Sequence, residues 1–130
     1  QMAERGQLVT IGSGDKKTNP IFEGDLAKVC VNSIREKNAI IEAGGKYTYT
    51  RKQLNEVVQN EVNPEKKTRN IRIGFLKFLL PIVKLFNRNM YDKMAFFLEV
   101  IQHDTIAPAL GVMRFEDYVK LKYQEMKSHQ

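Results

Sequence analysis

The fold is decided by the stretch Gln7-Leu8-Val9-Thr10-Ile11-Gly12, which is short and rich in apolar and β-branched residues. Branched side chains favour strands because they pack well on a pleated surface. The residues Gly12-Ser13-Gly14-Asp15 come next and are typical of a turn. We therefore predict a strand over 7–12, followed by a turn and a loop that continues to Asn19-Pro20.

A second apolar run, Ala39-Ile40-Ile41-Glu42-Ala43, ends at Gly44-Gly45. It is too short for a helix and its isoleucines favour a strand, so we predict a strand over 39–43 and a turn at the two glycines. Two strands make a thin sheet that is only marginally stable by itself. We therefore expect both strands to extend a larger sheet.

Periodic apolar residues predict two amphipathic helices in the first half of the chain. After Pro20 they recur at three- and four-residue steps, which predicts a helix that ends near Asn38. Thr50 and Gln53 have capping-box spacing, in which each side chain accepts a hydrogen bond from the other residue's backbone. They predict a helix over Arg51–Val62, which is stopped by the Asn-Pro pair that follows it.

The second half of the chain is predicted to be mostly helical. Residues 75–86 are nearly all apolar, residues 90–101 repeat apolar side chains at helical spacing, and a terminal helix begins near Arg114 and frays towards Gln130. A membrane-spanning helix needs about 20 apolar residues, so residues 75–86 are too few and no span is expected. The predicted fold class is α+β, dominated by helices with two short strands.

Length and composition indicate one compact domain, because 130 residues that are 42% hydrophobic suffice for one ordinary core. We interpret the net charge of +6 as a solvated surface, and Lys66, Lys67, Arg69 and Arg72 as a solvated loop. No aromatic residues that stack on bases lie among them, so no nucleic-acid partner is expected. The single cysteine, Cys30, excludes an internal disulfide and favours a reducing, cytoplasmic location.

Five short motifs follow one another along the chain. They are Gly12-Ser13-Gly14-Asp15, Asn19-Pro20-Ile21-Phe22-Glu23-Gly24-Asp25-Leu26-Ala27, Ile41-Glu42-Ala43-Gly44-Gly45, Tyr49-Thr50-Arg51-Lys52-Gln53-Leu54 and Arg114-Phe115-Glu116-Asp117-Tyr118-Val119. Their order and spacing resemble the C-terminal half of atypical and extended short-chain dehydrogenase/reductases, including the NmrA-like and epimerase-related groups. The resemblance covers residues 8–62 well and residues 63–121 loosely.

The resemblance implies a role beside a Rossmann-type nucleotide fold whose sheet the two strands would extend. Residues 1–62 would border that fold, and residues 63–130 would form a helical cap on the substrate side. Asn19, Pro20 and Ile21 would line the cleft between an NAD or NADP cofactor and a small-molecule substrate, in oxidoreductase or epimerase-like chemistry. The competing interpretation, equally open, is that Asn19-Pro20 only forms a turn before a helix.

The chain departs from the family at the cofactor site. Gly12-Ser13-Gly14 lacks the third glycine of the dinucleotide fingerprint, and the next helix begins only beyond Pro20. Without a helix N-terminus at this turn there is no pyrophosphate site. We therefore expect no cofactor on this chain alone, which would be inactive without an N-terminal Rossmann half as its partner.

No catalytic residue is assigned. The family's tyrosine and lysine, four residues apart, occur at Tyr118 with Lys122 and at Tyr123 with Lys127, but this helix is the wrong part of the chain. His103 next to Asp104 is interpreted as a helix-end histidine, because adjacent helix residues do not face one another. Cys30 is predicted to be a buried, inert thiol. His129 supports no ligand cluster, and no metal site is predicted.

The apolar residues between Phe75 and Leu98 leave two interpretations open. They are core that packs on the absent half, which we favour, or they line an apolar ligand pocket. A rival to the family assignment is a small, non-enzymatic interaction module that binds a partner helix or a lipid surface through these helices. The same apolar faces are compatible with an oligomer.

Overall fold

The computed structural model describes residues 2–128 of the chain, which contain five helices and four short strands. The fold is α+β and dominated by helices, as predicted. In chain order the elements are β1 (Val9–Ile11), β2 (Lys17–Thr18), α1 (Glu23–Asn32), β3 (Tyr49–Thr50), α2 (Arg51–Val62), β4 (Arg69–Ile71), α3 (Ile73–Phe86), α4 (Arg88–Val100) and α5 (Phe115–Ser128). None of these helices is long and apolar enough to cross a bilayer.

The strands form two separate sheets of two strands each. β1 pairs in parallel with β4, with Val9 opposite Arg69 and Ile11 opposite Ile71. β2 pairs antiparallel with β3 through Lys17 and Thr50. Within residues 2–128 no third strand joins either sheet, although the outer edge of β2 forms a single parallel bridge to Thr105.

Local signals located the helices well. α2 spans the predicted residues, and both hydrogen bonds of its capping box form: Gln53 N donates to Thr50 Oγ1 at 3.1 Å, and Thr50 N donates to Gln53 Oε1 at 2.7 Å. α3, α4 and α5 lie on the three apolar segments predicted to be helical. β1 lies inside the stretch predicted to be the first strand.

The predicted strand over 39–43 is wrong. These residues have no strand partner, and the side chain of Ile40 is 96% exposed. A strand requires a neighbouring backbone, which no described segment supplies here. α1 also stops at Asn32 rather than near Asn38, since Ser33 caps it and donates its hydroxyl to the carbonyl oxygen of Val29 at 2.7 Å.

The basic cluster is only partly a loop. Lys66 closes a turn and Lys67 lies in the loop after it, but Arg69 belongs to β4 and Arg72 is the residue that precedes α3. All four side chains are exposed, as predicted. The pattern did not reveal β4 because Arg69-Asn70-Ile71 has no apolar alternation, and the strand forms only through its pairing with β1.

The apolar core of the described residues is thin. Its buried members are Ala3, Leu98, Ile101 and Val119, and as many polar residues are buried: Thr10, Asn19, Asp25 and Gln59. Large apolar side chains of α1 and α3 are exposed instead. Cys30, predicted to be buried, is exposed, because nothing packs over this face of α1 in the described chain.

Candidate functional site

Three segments distant in sequence meet around one buried side chain, and we call residues 19–25, 44–49 and 105–116 together the junction. The amide of Asn19 donates from Nδ2 to the carbonyl oxygens of Gly45 at 3.0 Å and Ala107 at 2.7 Å. Its Oδ1 accepts a hydrogen bond from Ala107 N at 3.0 Å. Both donor hydrogens of the amide are thus used within the chain, so Asn19 fixes the loop that carries Pro20 and Ile21.

Gly44 and Gly45 let two backbones approach closely. Gly45 N donates to the carbonyl oxygen of Asn19 at 2.9 Å, and Gly44 N donates to that of Pro108 at 2.8 Å. A Cβ atom at Gly45 would collide with the carbonyl oxygen of Pro20. The glycine pair was predicted only as a turn, but glycine also marks places where a backbone must come close to another.

Asp25 closes the junction from the first turn of α1. Its buried carboxylate accepts hydrogen bonds at Oδ2 from Val112 N at 2.8 Å and from Met113 N at 3.0 Å. These backbone donors, helped by Lys28 with Nζ 3.4 Å from Oδ1, lower the pKa of Asp25 despite the opposing effect of burial. Sequence reasoning quoted Asp25 only within a longer motif and missed its contacts 87 and 88 residues away.

A cavity of about 140 Å³ lies beside the junction. It is lined by Pro20, Ile21, Phe22, Glu23, Met113, Arg114, Phe115 and Tyr118. Two of the three predicted site residues therefore reach it, whereas Asn19 lies behind them. Small-molecule sites usually enclose about 300 to 1,000 Å³, so this cavity fits a small group or one wall of a larger cleft.

Tyr49 joins this region to α5. Its hydroxyl donates to Glu116 Oε2 at 2.8 Å, and burial together with that carboxylate raises the pKa of Tyr49. Burial opposes ionisation of Glu116, but hydrogen bonds from its own backbone and from Tyr49, with the charge of Arg114, leave the pKa of Glu116 lowered. A protonated phenol next to a carboxylate positions residues and does not serve as a base. Sequence reasoning did not single out this pair.

Neither tyrosine–lysine pair of α5 is joined by a hydrogen bond within residues 2–128, although Tyr118 and Lys122 lie close enough to interact electrostatically. Lys127 Nζ lies 4.5 Å from the ring centroid of Tyr123, whose hydroxyl faces the carbonyl oxygen of Val62 at 3.4 Å. Lys122 Nζ lies 3.0 Å from Glu125 Oε2 and 4.0 Å from Glu23 Oε1. The hydrogen bond to Glu125 raises the pKa of Lys122.

The other residues considered for a chemical role make structural contacts where the structure describes them. His103 Nε2 lies 3.0 Å from Glu99 Oε1, while Asp104 Oδ1 accepts a hydrogen bond from Lys17 N at 2.8 Å, so His103 and Asp104 are not paired. His129 lies outside the described residues. Within residues 2–128 no group of three or more histidine, cysteine, aspartate or glutamate side chains is arranged to hold a metal ion.

Comparison of the chain with protein-family models, with curated proteins and with solved structures found no match.

Proposed function

We propose that this chain is the C-terminal, substrate-side region of an NAD(P)-binding protein that resembles short-chain dehydrogenase/reductases. In that protein an N-terminal nucleotide fold would bind NAD or NADP, and this region would supply walls of the substrate pocket for oxidoreductase or epimerase-like chemistry. We infer a cytoplasmic location from the single exposed cysteine. The observation that carries the proposal is the parallel pairing of β1 with β4.

Parallel strands occur almost only inside larger sheets that helices cover on both faces. β1 and β4 form a parallel pair of three residues each, and no other strand of residues 2–128 joins them. Two such short strands are marginal in isolation. On the outer edge of β1 the amide of Asn55 already donates to Val9 O at 3.1 Å, so a further strand would pair with the outer edge of β4.

The exposed apolar side chains on and after α1 support the same partner. Leu26, Val31 and Ile34 are exposed on or just after this helix, and Ile40 and Ile41 are exposed in the segment that follows. Burying an exposed leucine or isoleucine side chain is worth about 1.5 to 3 kcal/mol. A sheet-and-helix body that covers these side chains would gain that free energy.

The junction suits a position at the rim of a nucleotide fold. Ligands of open α/β sheets bind beyond the carboxyl ends of the strands. Asn19 and Asp25 hold the loop of Pro20 and Ile21 against Met113, so these side chains form a rigid wall. The cavity of about 140 Å³ is then one side of a cleft whose other side is the cofactor.

The proposal is tested first on the gene and then on the protein. An open reading frame that continues upstream by roughly 100 to 200 residues, a typical domain, and that carries a glycine-rich turn between a strand and a helix supports it. The longer protein should bind NAD or NADP in isothermal titration calorimetry, whereas the 130-residue chain should bind neither. A start codon at Met2, or a longer protein without affinity for either nucleotide, favours the independent interaction module instead.

A further inference from the structure

α3 carries an apolar stripe on one side of the helix. Phe75, Phe78, Ile82 and Leu85 follow each other at steps of three, four and three residues, which places them on one face. Their side chains are 49 to 83% exposed, and no residue of α3 is buried. The opposite side of the helix packs towards α4 through Leu80. We call the four exposed residues the outer stripe.

The basic excess of the whole chain lies in the segment of sequence that contains this stripe. Residues 66–93 contain eight lysines and arginines against one aspartate, a net charge of +7, whereas all 130 residues sum to +6. The rest of the chain therefore carries a net charge of −1. The basic residues are Lys66, Lys67, Arg69, Arg72, Lys77, Lys84, Arg88 and Lys93.

The two lysines of α3 are exposed, lie on the side of the helix opposite the outer stripe and contact uncharged groups. Lys77 Nζ donates to Gln102 Oε1 at 2.8 Å, and Lys84 Nζ lies 5.3 Å from the ring centroid of Tyr91. Neither is paired with a carboxylate in the part of the chain that the structure describes. α3 itself contains no acidic residue. Long lysine side chains keep their ammonium in a polar layer while their stems cover apolar surface.

We propose that α3 docks in the plane of an anionic lipid bilayer, with the outer stripe among the acyl chains and the basic residues against lipid phosphates. Helices that lie in a membrane interface combine phenylalanine and leucine on one face with lysine and arginine on the other. The helix has 14 residues and so extends about 21 Å along the surface. The proposal does not rest on the proposed function, which assigns the nucleotide fold to the β1–β4 edge and to α1.

The charge pattern favours lipid over a protein partner. Lysine is depleted at the centre of protein interfaces, where its desolvation is costly. Near an anionic bilayer, in contrast, each lysine or arginine strengthens binding about fivefold. A stripe of phenylalanine within a segment of net charge +7 is therefore complementary to headgroups and acyl chains together.

The test is co-sedimentation of the full 130-residue chain with vesicles of phosphatidylcholine, with and without phosphatidylserine. We expect binding at least about tenfold tighter with phosphatidylserine, since several basic residues contribute, and weaker binding at high salt, which screens charges. Phe78→Ser should lower the affinity at least about tenfold, because one buried phenylalanine is lost from the lipid phase. The double variant Lys77→Gln/Lys84→Gln should lower the affinity for vesicles that contain phosphatidylserine and leave the affinity for phosphatidylcholine vesicles unchanged.

Leu121→Ser is the matched control, since it also removes an exposed apolar side chain of a helix but lies outside residues 66–93. It should bind vesicles as the unaltered chain does, and circular dichroism should show equal helicity for all variants. Equal affinity for both vesicle types, no binding, or full binding by Phe78→Ser overturns the proposal. A dimer in size-exclusion chromatography that Phe78→Ser dissociates also overturns it, in favour of a second copy. None of these outcomes bears on nucleotide binding by the longer protein.

Discussion

The junction and the outer stripe of α3 differ both in composition and in burial. The junction is centred on the polar side chains of Asn19 and Asp25, yet both are buried, because they satisfy backbone groups of distant segments. The outer stripe is among the most apolar parts of the chain, yet it is exposed. Within this chain, polar side chains are buried where their hydrogen bonds are satisfied. The apolar side chains of the outer stripe could be buried only against another molecule.

The largest contrast should come from two leucines of similar chemistry. Leu98 is 3% exposed and Leu85 is 83% exposed. Leu98→Ala should lower the free energy of unfolding by about 2 to 5 kcal/mol, because it leaves a cavity. Leu85→Ala should change it by less than about 0.5 kcal/mol. Urea denaturation of both variants measures the difference, and an equal loss would mean that the outer stripe is covered within the monomer.

The second contrast concerns the amide that holds the junction. Asn19→Ala leaves Gly45 O, Ala107 O and Ala107 N without their partner and should cost roughly 2 to 3 kcal/mol. Asn60→Ala, at an exposed position of α2, should stay within about 0.5 kcal/mol of the unaltered chain. Denaturant midpoints at constant m-value check this prediction. Similar midpoints for the two variants would show that the hydrogen bonds of Asn19 do not stabilise the fold.

Two glycines sharpen the comparison further. Gly45→Ala places a methyl group against the carbonyl oxygen of Pro20 and should cost roughly 1 to 3 kcal/mol. Gly74→Ala, in α3, meets no atom within 4 Å and should stabilise the chain by about 0.5 to 1 kcal/mol. Thermal unfolding of both variants provides the measurement. A stable Gly45→Ala variant would show that the two backbones do not need this close approach.

The smallest effect should be the dependence of stability on pH. Since the pKa of Asp25 is lowered on folding, its carboxylate stabilises the fold above the unfolded pKa of about 3.8 and loses that effect as pH falls through the folded pKa. Asp25→Asn should therefore have a lower Tm at neutral pH and approach the unaltered chain in acid. Glu36→Gln, an exposed change of equal charge, is the control. A Tm difference for Asp25→Asn that is constant with pH contradicts the role of the carboxylate.

Local signals explain what the sequence could predict. The helix over Arg51–Val62 was found because its cap and its apolar face lie within a few residues of each other. The strand over 39–43 was predicted wrongly and β4 was missed, because a strand depends on a distant partner that residue patterns do not name. The glycines at 44 and 45 were visible, but their collision with Pro20 requires the fold.

The candidate site was predictable only in part. The family resemblance placed Asn19, Pro20 and Ile21 beside a cofactor cleft, which stays a prediction; in the structure Pro20 and Ile21 line a cavity. The contacts that position them join residues 87 or 88 apart, from Asn19 to Ala107 and from Asp25 to Val112 and Met113. No periodicity encodes such pairs, so the junction and the Tyr49–Glu116 hydrogen bond emerged only from the structure.

Hydrogen–deuterium exchange on the isolated chain tests the central claim most directly, because local stability follows burial and closed hydrogen bonds. The backbone amides of Gly44, Gly45, Ala107, Val112 and Met113 all donate to acceptors inside the junction and should exchange slowly. The helical amides of α3 should exchange faster, since none of its residues is buried. Protection of α3 equal to or above that of the junction in the monomer would contradict the account.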